Sequence, residues 1–97
     1  MHIEWLPAAR ATLLDITDYI ANHSVEAALK LHISIELATE QLPNYPYLYR
    51  QGRVANTREM LVHPNYLVVY RVGLHAIQIV DVLHTRQQYP AFTKKTS

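Results

Sequence analysis

The chain has no cysteine, only two glycines, and a single tryptophan and phenylalanine in 97 residues. Without cysteine there is neither a disulfide staple nor a thiolate metal site, so stability has to come from an apolar core. Gly52 and Gly73 stand too far apart for a glycine-rich phosphate loop. Apolar runs such as residues 66–70 are far too short to cross a bilayer. The N-terminus does not join a basic stretch to an apolar one of signal-peptide length, so a cytoplasmic setting is expected. The six histidines are scattered singly, and no metal or cofactor is expected. His2, His23, His32 and His75 read as surface or packing residues. Ser24 and Ser34 fall in a helical region and Ser97 in the tail, which argues against a Ser-His-Asp triad.

What is present fits one ordinary folded domain. Nearly half the residues are hydrophobic and 18% are charged. Net charge is only +1, but it is unevenly spread. Residues 1–45 carry Arg10 and Lys30 against Glu4, Asp15, Asp18, Glu26, Glu36 and Glu40. Residues 46–97 carry Arg50, Arg53, Arg58, Arg71, Arg86, Lys94 and Lys95 against Glu59 and Asp81. A basic second half points to an acidic partner, either nucleic acid or an acidic protein segment.

His2-Ile3-Glu4-Trp5-Leu6 alternates as a short strand does. Pro7 suits the first turn of a helix, and Ala9, Leu13, Ile16 and Ile20 continue it to about Asn22, with Asp15 and Asp18 facing water. Ser24 is a suitable N-cap for a second helix reaching about Leu42. Its core stripe is Ala28, Leu31, Ile35, Ala38 and Leu42, with Ile33 and Leu37 expected to widen the apolar face. Pro43 ends it. The short link makes the helices an antiparallel hairpin. Residues 44–56 read as an ordered loop rich in Tyr, Pro and Arg. Three strands follow, at residues 57–62, 66–72 and 76–84; the middle one is apolar on both faces and therefore central. The expected fold is α+β. An N-terminal strand, a helical hairpin and a three-stranded antiparallel meander form one sheet with the hairpin on one face, leaving the other face and the loop edges for binding. The domain spans residues 1–90, and the polar, basic residues 91–97 are expected to fray.

Arg58, Arg71, His84, Arg86 and Tyr89, with Arg50 and Arg53 in the preceding loop, form the candidate binding set. Arginine pairs its planar fork with phosphate or carboxylate, His84 can titrate near neutrality, and Tyr89 can stack on a base. Arg58, His84 and Arg86 would suit cleavage of single-stranded RNA. The competing reading makes Arg58 and Arg71 ion-pair partners of Glu59 or Asp81, the latter lying in an otherwise apolar strand.

The chain resembles the RelE/ParE toxin family of type II toxin–antitoxin systems over residues 1–90. The resemblance rests on Asp18-Tyr19-Ile20-Ala21, Thr57-Arg58-Glu59, Pro64-Asn65-Tyr66-Leu67-Val68-Val69-Tyr70-Arg71-Val72 and Val82-Leu83-His84-Thr85-Arg86-Gln87-Gln88-Tyr89-Pro90, in that order. It implies a growth-arresting toxin neutralised by a cognate antitoxin in a hetero-oligomer, away from any membrane. RelE-like members cleave mRNA on the ribosome; ParE-like members poison DNA gyrase. Where RelE-like sequences carry a phosphate-binding arginine in the central strand, this one has Leu67, and the ending around His84 and Arg86 looks like the ParE branch. The resemblance therefore implies a gyrase inhibitor without catalytic residues. A ribosome-dependent endoribonuclease using Arg58, His84 and Arg86 is the alternative, and a non-toxic antitoxin-binding module is a third. The basic second half and the apolar hairpin together would suit an amphipathic partner helix with acidic residues.

Overall fold

A computed structural model describes residues 1–87. Strand β1 (His2–Trp5) leads into α1 (Pro7–Ala21), with Pro7 opening the helix. Helix α2 (Val25–Glu40) starts at Ser24, whose hydroxyl accepts a hydrogen bond from the Ala27 amide and so satisfies a donor the helix leaves free. The helix stops two residues before the expected Leu42. Pro43 lacks an amide hydrogen, and Leu42–Asn44 tightens into a single 3-10 turn.

Strands β2 (Arg50–Gln51), β3 (Arg58–His63), β4 (Tyr66–Val72) and β5 (Ala76–His84) complete a five-stranded sheet in the order β1-β5-β4-β3-β2. The β3–β4–β5 meander is antiparallel, and β4 is the central strand, as its two apolar faces predict. β1 runs parallel to β5, with Ile3 opposite Ile77 and Trp5 opposite Ile79. The two-residue β2 lies inside the stretch read as loop. It is too short to show alternation, and only its pairing with Glu59 and Arg58 makes it a strand.

The main core lies between the hairpin and one face of the sheet. Ala9 and Leu13 of α1, Leu31 and Ile35 of α2, and Leu42 meet Met60, Val68, Tyr70, Ile77, Ile79 and Val82. Ile77 and Ile79 could not share a face with Val82 in a regular strand. The register shift opposite Val69 and Tyr70 inserts one extra residue and resets the alternation, and Asp81 Oδ1 accepts from the Val82 amide there. Asp81 thus serves the backbone at the bulge.

Two expectations fail on burial. Ile33 and Leu37 do not widen the core face of α2; they are 47% and 57% exposed, beside Leu29, because the helix packs through Ala28, Leu31, Ile35 and Thr39. The far face of the sheet is not simply open for binding either. Leu67, Val69 and Leu83 are buried there, with Val80 packed against them.

Candidate functional site

The sequence-predicted residues divide between two ends of the sheet. At the end where β3 begins, Glu59 is the organising group. Its carboxylate accepts from Arg50 Nη2 at 2.9 Å, from the Arg53 amide and Nε at 3.1 Å each, and from Arg53 Nη2 at 3.5 Å. The Glu59 side chain is only 2% exposed, whereas those of Arg50 and Arg53 are 70% and 42% exposed. Burial works to raise the pKa of Glu59. The hydrogen bonds and charge of Arg53, then Arg50, outweigh it and hold the carboxyl below the ordinary 4.5. The buried carboxylate therefore belongs to Arg50 and Arg53. The alternative that gave this role to Arg58 and Arg71 is corrected.

Arg58 and Arg71 are held by neutral acceptors. Arg58 Nη1 donates to the carbonyls of Tyr47 at 3.2 Å and Tyr49 at 2.7 Å, and its guanidinium lies 5.1 Å from the Tyr47 ring centroid. Arg71 donates twice, at 3.2 Å, to Gln78 Oε1, and the Gln78 amide donates to Glu4. Beside these two arginines opens a cavity of about 680 Å³, lined also by Tyr47, Gln51, Gly52, the stretch Val54 to Thr57, and Val72. The loop around it is rigidly tied. The buried Tyr70 donates its hydroxyl to the Pro46 carbonyl at 2.7 Å, and Tyr49 meets the Tyr70 ring edge-on.

His84 and Arg86 lie at the opposite end. His84 pairs with Tyr66 and stacks edge-on against its ring, which in turn contacts His63. The Arg86 amide donates to His84 Nδ1 at 3.0 Å, so a neutral His84 carries its proton on Nε2. A groove of about 330 Å³ runs from here to α1, lined by Asp15, Ile16, Tyr19 and Tyr66 among others. Arg58 faces Tyr70 and His84 faces Tyr66, on opposite sides of β4. Four residues along the strand and two strand spacings across place their backbones roughly 16 Å apart. One phosphate needs its base and its cation within hydrogen-bond reach, and the structure does not bring Arg58 together with His84 and Arg86. Tyr89 lies outside the described residues.

The sequence reading missed Glu59 as the hub and Tyr47, Tyr49 and Tyr70 as the supports of Arg58. An acidic residue next to Arg58 in an otherwise apolar strand was the available signal for Glu59. The supports of Arg58 act largely through backbone carbonyls, and side-chain patterning does not report those. Among the described residues, no group of three or more His, Cys, Asp or Glu could hold a metal, and no helix is long and apolar enough to cross a membrane.

Comparison with known proteins gives this geometry a context. Residues 3–89 match the family described as ParE toxin of type II toxin-antitoxin system, parDE. The chain is 34% identical over 89 residues to the putative toxin Y4kP of Sinorhizobium fredii, covering 91% of this chain and 92% of that protein. It is 33% identical over 84 residues to toxin RelE2 of Caulobacter vibrioides, covering 84% and 92%. A solved structure, described as the chromosomal ParDE TA system from P. aeruginosa, superposes with a TM-score of 0.75 at 25% identity, covering 87% of this chain and 95% of that one. The two-helix hairpin on a mixed five-stranded sheet is thus the fold of that toxin. The chain belongs to the ParE toxin family of type II toxin–antitoxin systems.

Proposed function

We propose that this toxin acts on DNA gyrase as a binding protein, halting replication without chemistry of its own, and is neutralised by a cognate antitoxin. The observation that carries the reading is the separation of Arg58 from His84 and Arg86 across β4. Burial of Leu67 in the apolar cluster of the far face supports it, since a cation at that position would be excluded from water. Oxyanion or phosphate stabilisation requires donors already aimed at the reacting group. The match to a ParE family model and to a ParDE structure points the same way.

A ribosome-dependent endoribonuclease is the second reading, favoured by His84 and Arg86 lying side by side and by the likeness to toxin RelE2. The two are separated by a gyrase supercoiling and cleavage assay run beside in-vitro translation. Trapped DNA breaks with intact mRNA, and toxicity retained in His84→Ala and Arg86→Ala, are the expected results. Cleavage of mRNA in the ribosomal A site would refute the gyrase reading. Neutral results in both assays with tight antitoxin binding would favour a non-toxic binding module.

For the antitoxin, the outer face of the hairpin offers Leu14, Leu29, Ile33 and Leu37, all about half exposed or more. Its surroundings are acidic: the two helices carry Asp15, Asp18, Glu26, Glu36 and Glu40 against Arg10 and Lys30, and Arg10 is paired with Glu36. An amphipathic partner helix on this face therefore needs neutral or basic flanks. The acidic residues expected of that partner belong against the basic second half instead, because like charges across an interface repel.

A further inference from the structure

We infer that the cavity beside Arg58 and Arg71 is a recognition site for a carboxylate on an acidic peptide segment. This does not rest on gyrase being the target.

The argument begins with charge. Glu59 is the shared ion-pair partner of Arg50 and Arg53, its single charge offsetting half of theirs, and Glu36 pairs with Arg10. Arg58 and Arg71 differ from these. Among the described residues their partners are two backbone carbonyls, a tyrosine ring and the Gln78 amide oxygen, none of which bears a charge. Glu4 reaches Arg71 only through Gln78. Neutral acceptors fix a guanidinium in place without cancelling it, so both cations stand preorganised for an anion. Among the described residues, the cavity they border has no aspartate or glutamate in its lining.

The shape of the site selects the kind of anion. A nucleic-acid backbone asks for a row of cations along a track of phosphates. Here two arginines meet at one concavity, whose other walls include Val54, Ala55 and Val72 beside Gln51 and Asn56. Apolar walls around a pair of planar forks suit a carboxylate side chain flanked by apolar ones. The walls are also held in shape. The Gly52 amide donates to the Thr57 carbonyl at 2.7 Å, the Thr57 hydroxyl donates to Val54, and Glu59 anchors Arg53 through both amide and side chain.

The test is an amide and arginine Nε–H NMR titration of the full chain with three probes. The first is an end-capped Leu-Glu-Val-Asp-Leu peptide, the second its Gln/Asn counterpart, and the third a ten-residue oligothymidylate. The acidic peptide should shift Arg71 Nε–H and the Gly52, Asn56 and Thr57 amides in a saturable manner, with at least tenfold tighter binding than the neutral peptide. Arg71→Gln, on an exposed side chain, should lower that affinity at least tenfold while leaving the core resonances in place; Arg86→Gln should not. The inference is overturned if both peptides bind equally, if Arg71→Gln binds like the parent, or if these resonances do not move. It is equally overturned if the oligonucleotide moves the same resonances at lower concentration. Gyrase appears nowhere in the experiment, so failure of either proposal leaves the other standing.

Discussion

Replacing Glu59 with glutamine tests the architecture of the β2–β3 end directly. The shape of the residue is retained; the charge and one acceptor oxygen are lost. In the parent, Oε2 takes the Arg53 amide and Nε, and Oε1 takes Arg50 Nη2 with the longer Arg53 Nη2 contact. The glutamine oxygen can serve the Oε2 pair, which leaves an NH₂ group facing the Oε1 donors. A hydrogen bond to a charged group contributes about 1.5–3 kcal/mol. Arg50 is 70% exposed and rehydrates readily, so its share is reduced by solvent screening. The expected loss is about 2 kcal/mol at neutral pH, combining one screened charged bond with the weakening of the retained pair. For a domain of this size that lowers Tm by roughly 10 °C.

The pH dependence makes the test specific. The folded-state pKa of Glu59 lies below the ordinary 4.5, so the native state holds its charge where the unfolded chain has begun to take up a proton. The resulting stability is fully present above the unfolded pKa and is lost as pH falls through the folded one. Urea unfolding of parent and Glu59→Gln should therefore differ most above about pH 5, with the gap closing in more acidic solution as the parent carboxylate is protonated. A gap below about 0.5 kcal/mol at neutral pH, within the usual range of surface substitutions, would refute the reasoning. So would a gap that persists unchanged into acid.

Three further outcomes follow from buried contacts. Tyr70→Phe removes the donor to the Pro46 carbonyl and should cost about 1–2 kcal/mol in urea unfolding. Burial raises the Tyr70 phenol above its ordinary 10.0, only partly offset by Arg58, so the parent should also lose stability as pH climbs past the unfolded value, and Tyr70→Phe should lose less. Leu67→Arg puts a charge into the Leu67–Val69–Leu83 cluster; it should destabilise by at least about 3 kcal/mol and should not create mRNA cleavage in a translation assay. Gly52→Ala would drive a methyl group into Thr57 Oγ1 and to 3.2 Å from the Thr57 carbonyl, and should cost about 1–3 kcal/mol by thermal unfolding.

The amino-acid order alone carries the two helices, four of the five strands and their layering. Ala9, Leu13, Leu31 and Ile35 recur at helical spacing, and β4 is apolar on both faces; both patterns are local consequences of which side must avoid water. The motifs around Tyr66–Val72 and His84 likewise place the chain in its family from sequence alone. Three matters lay beyond that reading. One was the outward turn of Ile33 and Leu37, because a helix with apolar residues on several sides does not say which side the sheet will meet. Another was the short β2 strand, which exists only through its partner. The third was the division of the candidate site. The six basic residues read as one set, Arg50, Arg53, Arg58, Arg71, His84 and Arg86, are alike in type but do not come together in space. Tertiary structure gives Arg50 and Arg53 to the buried Glu59, leaves Arg58 and Arg71 charged beside a cavity, and carries His84 and Arg86 to the other end of β4. Composition determines how many arginines there are. Only the fold decides which of them a buried carboxylate neutralises, because that depends on which strands are neighbours and on how far water reaches between them.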